Sequence, residues 1–222
     1  MKLLHTAPWL IADLGAPRRV LSWTLNRPGF VAARRIVIRE VRNRDLPRDL
    51  DAALWLGREL VATGLADAPA LLTSRDISAF ECRSAQAGDV MVHCLATVGL
   101  SNAERVGHRQ SFDPARWGTI NMVLDCSAGL TRAAQIEALT IAVQARTAAV
   151  IDAGFALPEG PATGTGTDCI ALAAPPGRTA FAGLHTDAGE SLGRAAYDAV
   201  AAGAARWIDT RAGLARDPHA RS

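Results

Sequence analysis

Gly88-Asp89 followed by Val90-Met91-Val92-His93-Cys94-Leu95-Ala96-Thr97 fixes the class of fold. The run after the turn is apolar at odd and even positions alike, which predicts a strand buried on both faces. The turn before it, and the run from Phe80 to Ser84 before that, supply a neighbouring strand. Gly118-Thr119-Ile120-Asn121-Met122-Val123-Leu124-Asp125-Cys126 has the same character and predicts a second central strand. Toward the N-terminus, Arg19 to Leu25 alternates with period two, as does Arg35 to Val41. Asn26-Arg27-Pro28-Gly29 between them is turn chemistry, so the two are expected to pair antiparallel. Ala70 to Ser74 is a further strand, and Asp76-Ile77-Ser78 a turn.

Helices fall singly between these strands. Asp49 or Asp51 can cap one whose apolar face is Leu50, Ala53, Leu54, Gly57, Leu60 and Val61, with Gly64 at its end. Thr131 caps the longest, which runs to about Asp152 with Ile136, Leu139, Val143 and Val150 on its apolar face. Pro175-Pro176-Gly177 turns into Thr179-Ala180-Phe181-Ala182. A last helix runs from Asp187 past Tyr197 to about Trp207; Asp187 and Glu190 have capping-box spacing, and the tail from Arg211 is expected to fray. Clustered strands with single helices are not the strict alternation of a doubly wound fold. The expectation is one α+β domain over residues 1–222, a mostly antiparallel or mixed sheet covered by helices.

Composition narrows the function. Hydrophobic residues are 49% of the chain but aromatics only 5%, so Ala, Val and Leu must fill the core. Net charge is +2 with both signs interspersed, which leaves no basic stripe for nucleic acid. No apolar run reaches membrane-spanning length, so no membrane partner is expected. Pro8 and Asp13 interrupt any secretory apolar segment near the start. Cys82, Cys94, Cys126 and Cys169 are widely spaced without a C-x-x-C pair, which fits reduced core thiols in a cytoplasmic protein and no zinc site. A homo-oligomer is compatible with all of this.

The chemistry concentrates in Thr163-Gly164-Thr165-Gly166-Thr167-Asp168, just before the apolar run Cys169 to Ala174. Glycine lets backbone N–H groups approach a ligand, and threonine adds hydroxyls that donate and accept. No Lys follows, so this is not a phosphate-binding loop of the Walker type. Asp168 is the carboxylate placed to be held ionised by loop N–H groups, as a base or an orienting group. Ser101, Asn102 and Glu104 follow the Val90–Thr97 strand and form a second site element; Glu104 can equally be a helix cap. Asn102 or Asn121 can bind an amide or donate to an oxyanion, and Asn121 can equally bond a neighbouring loop. His185, beside Thr186 and Asp187 at a strand-to-helix junction, is the histidine best placed for acid–base work. Trp23, Trp55 and Trp117 are candidates for an apolar groove. Cys126 or Cys169 with His185 is the alternative constellation, that of a cysteine amidase.

Four blocks in order carry a resemblance. They are Ala96-Thr97-Val98-Gly99-Leu100-Ser101-Asn102-Ala103, Gly118-Thr119-Ile120-Asn121, Thr163 to Asp168, and Phe181-Ala182-Gly183 leading to Thr186 and Gly189. From about Val20 to Tyr197 the chain resembles the adenosylcobinamide amidohydrolases of corrinoid salvage. The resemblance implies hydrolysis of the amide joining a corrin propionyl side chain to 1-amino-2-propanol, giving adenosylcobyric acid. It implies a small-molecule corrinoid as substrate and no separate cofactor or metal. On this reading Asp168, His185 and Asn102 are catalytic. Thr163, Gly164, Thr165, Gly166, Thr167, Ser101, Asn121, Glu104 and Trp23 bind substrate. The chain has Gln144-Ala145-Arg146 where the family has Glu-Ala-Lys, and Asn26-Arg27-Pro28-Gly29 in place of a small-residue run. A corrinoid-binding protein without catalysis is the other alternative.

Overall fold

The computed structural model describes residues 1–47, 49–109 and 118–216. In chain order the elements are β1 (Lys2–Thr6), β2 (Trp9–Ser22), β3 (Gly29–Glu40), α1 (Ala52–Ala62), β4 (Ala70–Thr73), β5 (Glu81–Ala87), β6 (Val90–Val98), β7 (Ala103–Glu104), β8 (Ile120–Cys126), α2 (Arg132–Asp152), β9 (Ala156–Leu157), β10 (Gly160–Pro161), β11 (Gly164–Thr165), β12 (Cys169–Ala174) and α3 (Asp187–Arg216). One mixed sheet has the order β4-β3-β2-β12-β8-β6-β5, with β1 added to β2. Only β3–β4 and β8–β12 pair parallel; the other neighbours in it are antiparallel. This is the α+β, mixed-sheet domain that the sequence predicts.

The sheet is buried on both faces, which is why β6, β8 and β12 are apolar throughout. On one face α2 and α3 pack against Cys94, Ala96, Met122, Leu124 and Ile170. The opposite face is covered by the sheet itself. Strand β2 changes register between Asp13 and Arg18, where Gly15 takes a φ of 78° and donates its N–H to Asp13 Oδ1 at 2.8 Å. Beyond that bend Leu10, Ala12 and Leu14 fold over Leu95, Val123 and Ala171. A smaller cluster seats Leu56 and Leu60 of α1 on Trp9, Val37 and Ala70.

The helices pack through alanine. Ala134, Ala138, Ala142, Ala145 and Ala149 of α2 and Ala188, Ala195, Ala199 and Ala204 of α3 are buried in one cluster. Thr131 caps α2 by accepting from the Ala134 N–H at 3.1 Å. Gln135, fully buried, braces α2 to the sheet: its Nε2 donates to Arg19 O at 2.9 Å and Leu172 O at 2.8 Å, and its Oε1 accepts from Arg19 Nε at 2.7 Å.

Several expectations are corrected. The strand expected from Arg19 begins ten residues earlier, at Trp9, and β1 has no counterpart in the sequence reading. Helix α3, not α2, is the longest, and it extends to Arg216. Asp51 is the cap of α1, but Leu54 and Val61 are exposed and Leu56 and Leu60 face inward. Ile136 of α2 is exposed, because the buried stripe is the alanine one. Residues 179–182 form no strand, although Leu130 and Thr179 bridge. Thr186, accepting from the Gly189 N–H at 3.0 Å, caps α3 in place of an Asp187–Glu190 box.

Close packing makes Gly203 of α3 a test. A β-carbon there would lie 2.6 Å from Val98 Cγ2 and 3.0 Å from Val98 Cβ. Alanine adds up to ~1 kcal/mol of helix propensity, but overpacking against a β-branched side chain costs ~1–3 kcal/mol. Gly203→Ala is therefore expected to lower stability by about 1 kcal/mol in urea titrations, and a variant more stable than the parent would contradict the packing described.

Candidate active site

One end of the sheet gathers the chemistry. The strand register sets Val98 opposite Ile120, Thr97 opposite Asn121, and Asn121 opposite Cys169. The end of β6 and the starts of β8 and β12 therefore meet there. The chain leaving β6 turns through Ser101 and Asn102 into β7, which pairs antiparallel with β11 in the Thr/Gly loop. Gly166 N donates to Asn102 O at 3.2 Å and Thr163 N to Glu104 O at 2.9 Å. Thr167 Oγ1 donates to Gly118 O at 3.0 Å, and Thr119 Oγ1 to Thr167 O at 2.8 Å. Gly118 must be glycine for a steric reason. A β-carbon would sit 2.8 Å from Asn102 N, Ser101 N and Gly99 O.

Asp168 holds these pieces together. Its Oδ1 accepts from Ile120 N at 2.9 Å and Thr165 Oγ1 at 2.5 Å. Its Oδ2 accepts from Thr165 N at 3.0 Å and from Arg146 of α2 in an ion pair. The Asp168 side chain is only 8% exposed and that of Arg146 14%. Burial pulls the Arg146 guanidinium below its ordinary value, yet a carboxylate partner and arginine's high starting value keep it a cation. Four donors fill the acceptor positions of one carboxylate. Asp168 thus ties the loop to β8 and α2. The backbone carbonyl of Asp168 accepts from Trp23 Nε1 at 2.9 Å, which fixes the indole beside the loop with 46% of the residue exposed.

Glu104 differs from Asp168. Half-buried, its carboxylate makes no hydrogen bond or ion pair among the described residues. A β-carbon on Gly166 would lie 3.4 Å from Glu104 Oε1 and 3.2 Å from Asn102 Nδ2. The bare glycine thus leaves room where an amide donor converges with a carboxylate that has no partner among the described residues. This point lies between two cavities. One of about 590 Å³ is lined by Glu104, Arg105, His108, Arg146 and Thr165. The other, about 480 Å³, is lined by Trp23, Leu25, Leu46, Leu72, Gly166 and Cys169.

The remaining expected residues divide. Thr163, Gly164, Thr165, Gly166, Thr167, Ser101, Asn102, Glu104 and Trp23 come together here. Asn121 lies beneath, fully buried, with Nδ2 donating to Leu72 O at 2.6 Å; neither its Oδ1 nor the neighbouring Thr97 Oγ1 has a partner. His185 is not brought to Asp168. It stands exposed before α3, whose start packs at the opposite end of β6: the Asp187 carboxylate abuts Gly88, and Ser191 Oγ donates to Val90 O at 3.0 Å. The nine residues of β6 place it about 25 Å away. Trp55 packs on α1 under Arg39, and Trp117 lies outside the described residues. Arg146 was missed as a site residue; the only sequence signal was its place in the Gln144-Ala145-Arg146 departure.

Among the described residues no three His, Cys, Asp or Glu side chains are grouped to hold a metal ion, and no helix is long and apolar enough to cross a membrane. Residues 1–212 match the family model for adenosylcobinamide amidohydrolase. The chain belongs to the adenosylcobinamide amidohydrolase family. It is accordingly an amide hydrolase, of a family that acts on a corrinoid. No curated protein matches the sequence. Among solved structures, a Burkholderia sp. beta-aminopeptidase is similar over 90% of this chain and 78% of its own, with 12% identity and a TM-score of 0.42.

Within this adenosylcobinamide amidohydrolase family member, the thiols are poor nucleophiles. Burial pushes Cys169 up to about 12 and raises Cys126 as well. A nucleophilic cysteine needs the opposite shift. Cys169→Ala is expected to cost about 1 kcal/mol of stability and to keep turnover. Loss of turnover in a folded Cys169→Ala protein would restore the cysteine-amidase alternative.

Asp168→Asn tests the clamp. It keeps shape but leaves the buried Arg146 cation unpaired, so stability is expected to fall by about 3 kcal/mol, and Arg146→Met in the same chain to recover part of that. Unchanged denaturant midpoints for the single variant would refute the clamp.

Proposed function

We propose that the protein hydrolyses adenosylcobinamide at the amide between the corrin propionyl side chain and 1-amino-2-propanol. The products are adenosylcobyric acid and the free aminoalcohol. The observation that carries this reading is the convergence of Glu104 Oε1 and Asn102 Nδ2 over Gly166, between two open cavities. Amide hydrolysis needs a base for water, a donor for the oxyanion and a proton for the leaving amine. Glu104 takes a proton from water as the water oxygen bonds to the amide carbon. Asn102 donates an N–H to the oxygen that becomes negative. Glu104 then gives its proton to nitrogen as the C–N bond breaks. Asp168, Arg146 and the threonines position the loop and do not enter the proton transfers. Four free cysteines support a reducing, cytoplasmic setting.

Purified protein incubated with adenosylcobinamide and no nucleotide is expected to release both products, measured by mass spectrometry. Strict dependence on ATP or GTP, or no release at all, would overturn the proposal. Glu104→Gln is expected to lower kcat by at least ~10²-fold, the lower range for general acid–base catalysis, with its thermal midpoint and corrinoid binding retained. A near-normal rate in that variant would remove Glu104 from the chemistry.

A further inference from the structure

We propose that the cavity beside Trp23 is a nucleoside pocket that takes the 5′-deoxyadenosyl group of the corrinoid, a specificity site that rests on the hydrolase reading above. The cavity, about 480 Å³, falls in the range that encloses a small ligand. Its wall is Trp23, Leu25, Val41, Leu46 and Leu72, with Ser74 adding a hydroxyl. Trp23 is held by its only polar atom, Nε1, on Asp168 O at 2.9 Å, and is 46% exposed. An indole tied at its edge and open elsewhere is a stacking platform for a base. Leu25, 50% exposed, extends the apolar surface beside it.

The charge of the wall identifies the ligand class. Among the described residues no Lys, Arg or His lines this cavity, and its one carboxylate, Asp168, is turned into the clamp. Such a wall cannot repay the desolvation of a phosphate. It suits a neutral nucleoside: an aromatic base for the indole and a ribose hydroxyl for Ser74. The other cavity has Arg105, Arg109 and His108 on its wall and is the opposite in character. Gly166, where Asn102 and Glu104 converge, belongs to the neutral cavity's wall. A nucleoside bound there lies against the same loop that holds the reacting amide.

The experiment has two arms on the full-length protein. In the first, isothermal titration measures adenosine and AMP. Adenosine is expected to bind, AMP at least ~10-fold more weakly, and Trp23→Ala to weaken adenosine by roughly 10-fold or more, the range for loss of one base–aromatic stack. In the second, kcat/KM is compared for adenosylcobinamide and methylcobinamide. Trp23→Ala is expected to lower the adenosyl value by roughly 10-fold or more while sparing the methyl one. Trp23→Phe keeps a ring but loses the bond to Asp168 O, and should restore most of the preference. If Trp23→Ala lowers both substrates equally and Trp23→Phe does the same, Trp23 only anchors the loop and the inference falls. AMP binding as tightly as adenosine would also overturn it. Should Trp23→Ala not fold, Leu25→Ala carries both arms. Failure to hydrolyse any cobinamide would defeat the hydrolase reading, and the adenosine titration would still decide the pocket.

Discussion

A single carboxylate ties the active end of this protein together. Asp168 receives a backbone N–H from the first residue of β8, a backbone N–H and a hydroxyl from the Thr/Gly loop, and the guanidinium of α2. Sheet, loop and helix would otherwise meet with polar groups buried and unmatched, each of which costs more than a surface hydrogen bond returns. The pair's own net contribution is modest, since desolvation offsets attraction. Its effect is geometric: it fixes where the loop lies, and with it the gap over Gly166 and the orientation of the indole of Trp23.

The division of labour between two carboxylates follows from that. Asp168 has all its acceptor positions bonded, while Glu104 is half-buried and unpaired among the described residues. Both sit at the edge of the same loop, Glu104 through the β7–β11 pairing and Asp168 at the start of β12. One environment saturates an oxygen pair and the other leaves it without a partner among the described residues. Two cavities flank the loop, one with Arg105, His108 and Arg109 on its wall and one walled by Trp23, Leu25 and Leu72.

The strands β6, β8 and β12 were legible because burial on both faces writes a continuous apolar run. Strand β1 and the first half of β2 were not, because Asp13, Gly15 and Pro17 break the pattern at the bend that lets β2 serve two faces of the core. The buried stripe of α2 was hidden because alanine carries little apolar signal, whereas exposed Ile136 carries much. At the site, the sequence showed that Asp168 would be gripped by its loop but not that Arg146, twenty-two residues earlier, completes the grip. The distance of His185 from Asp168 was in principle readable. One precedes β12 and the other follows it, so a whole strand must separate them. That Glu104 has no partner among the described residues is a property of the folded loop, which no spacing in the sequence records.

The position of β12 has a consequence for how the chain is made. It is the last strand in sequence, yet it lies in the middle of the sheet, between β2 and β8. Arg19 waits for Ala174 before that edge of β2 is paired. During synthesis from the N-terminus, β1 to β4 and the trio β5, β6 and β8 emerge as two separate half-sheets. Each carries an apolar edge that cannot close on the other, and such edges recruit foreign strands. Loop-closure entropy over so long a separation also slows the joining step. The nascent protein therefore passes through a stage in which two-thirds of it is made and its sheet is still open down the middle. Until Cys169–Ala174 is added, the facing edges of β2 and β8 have no partner strand in this sheet.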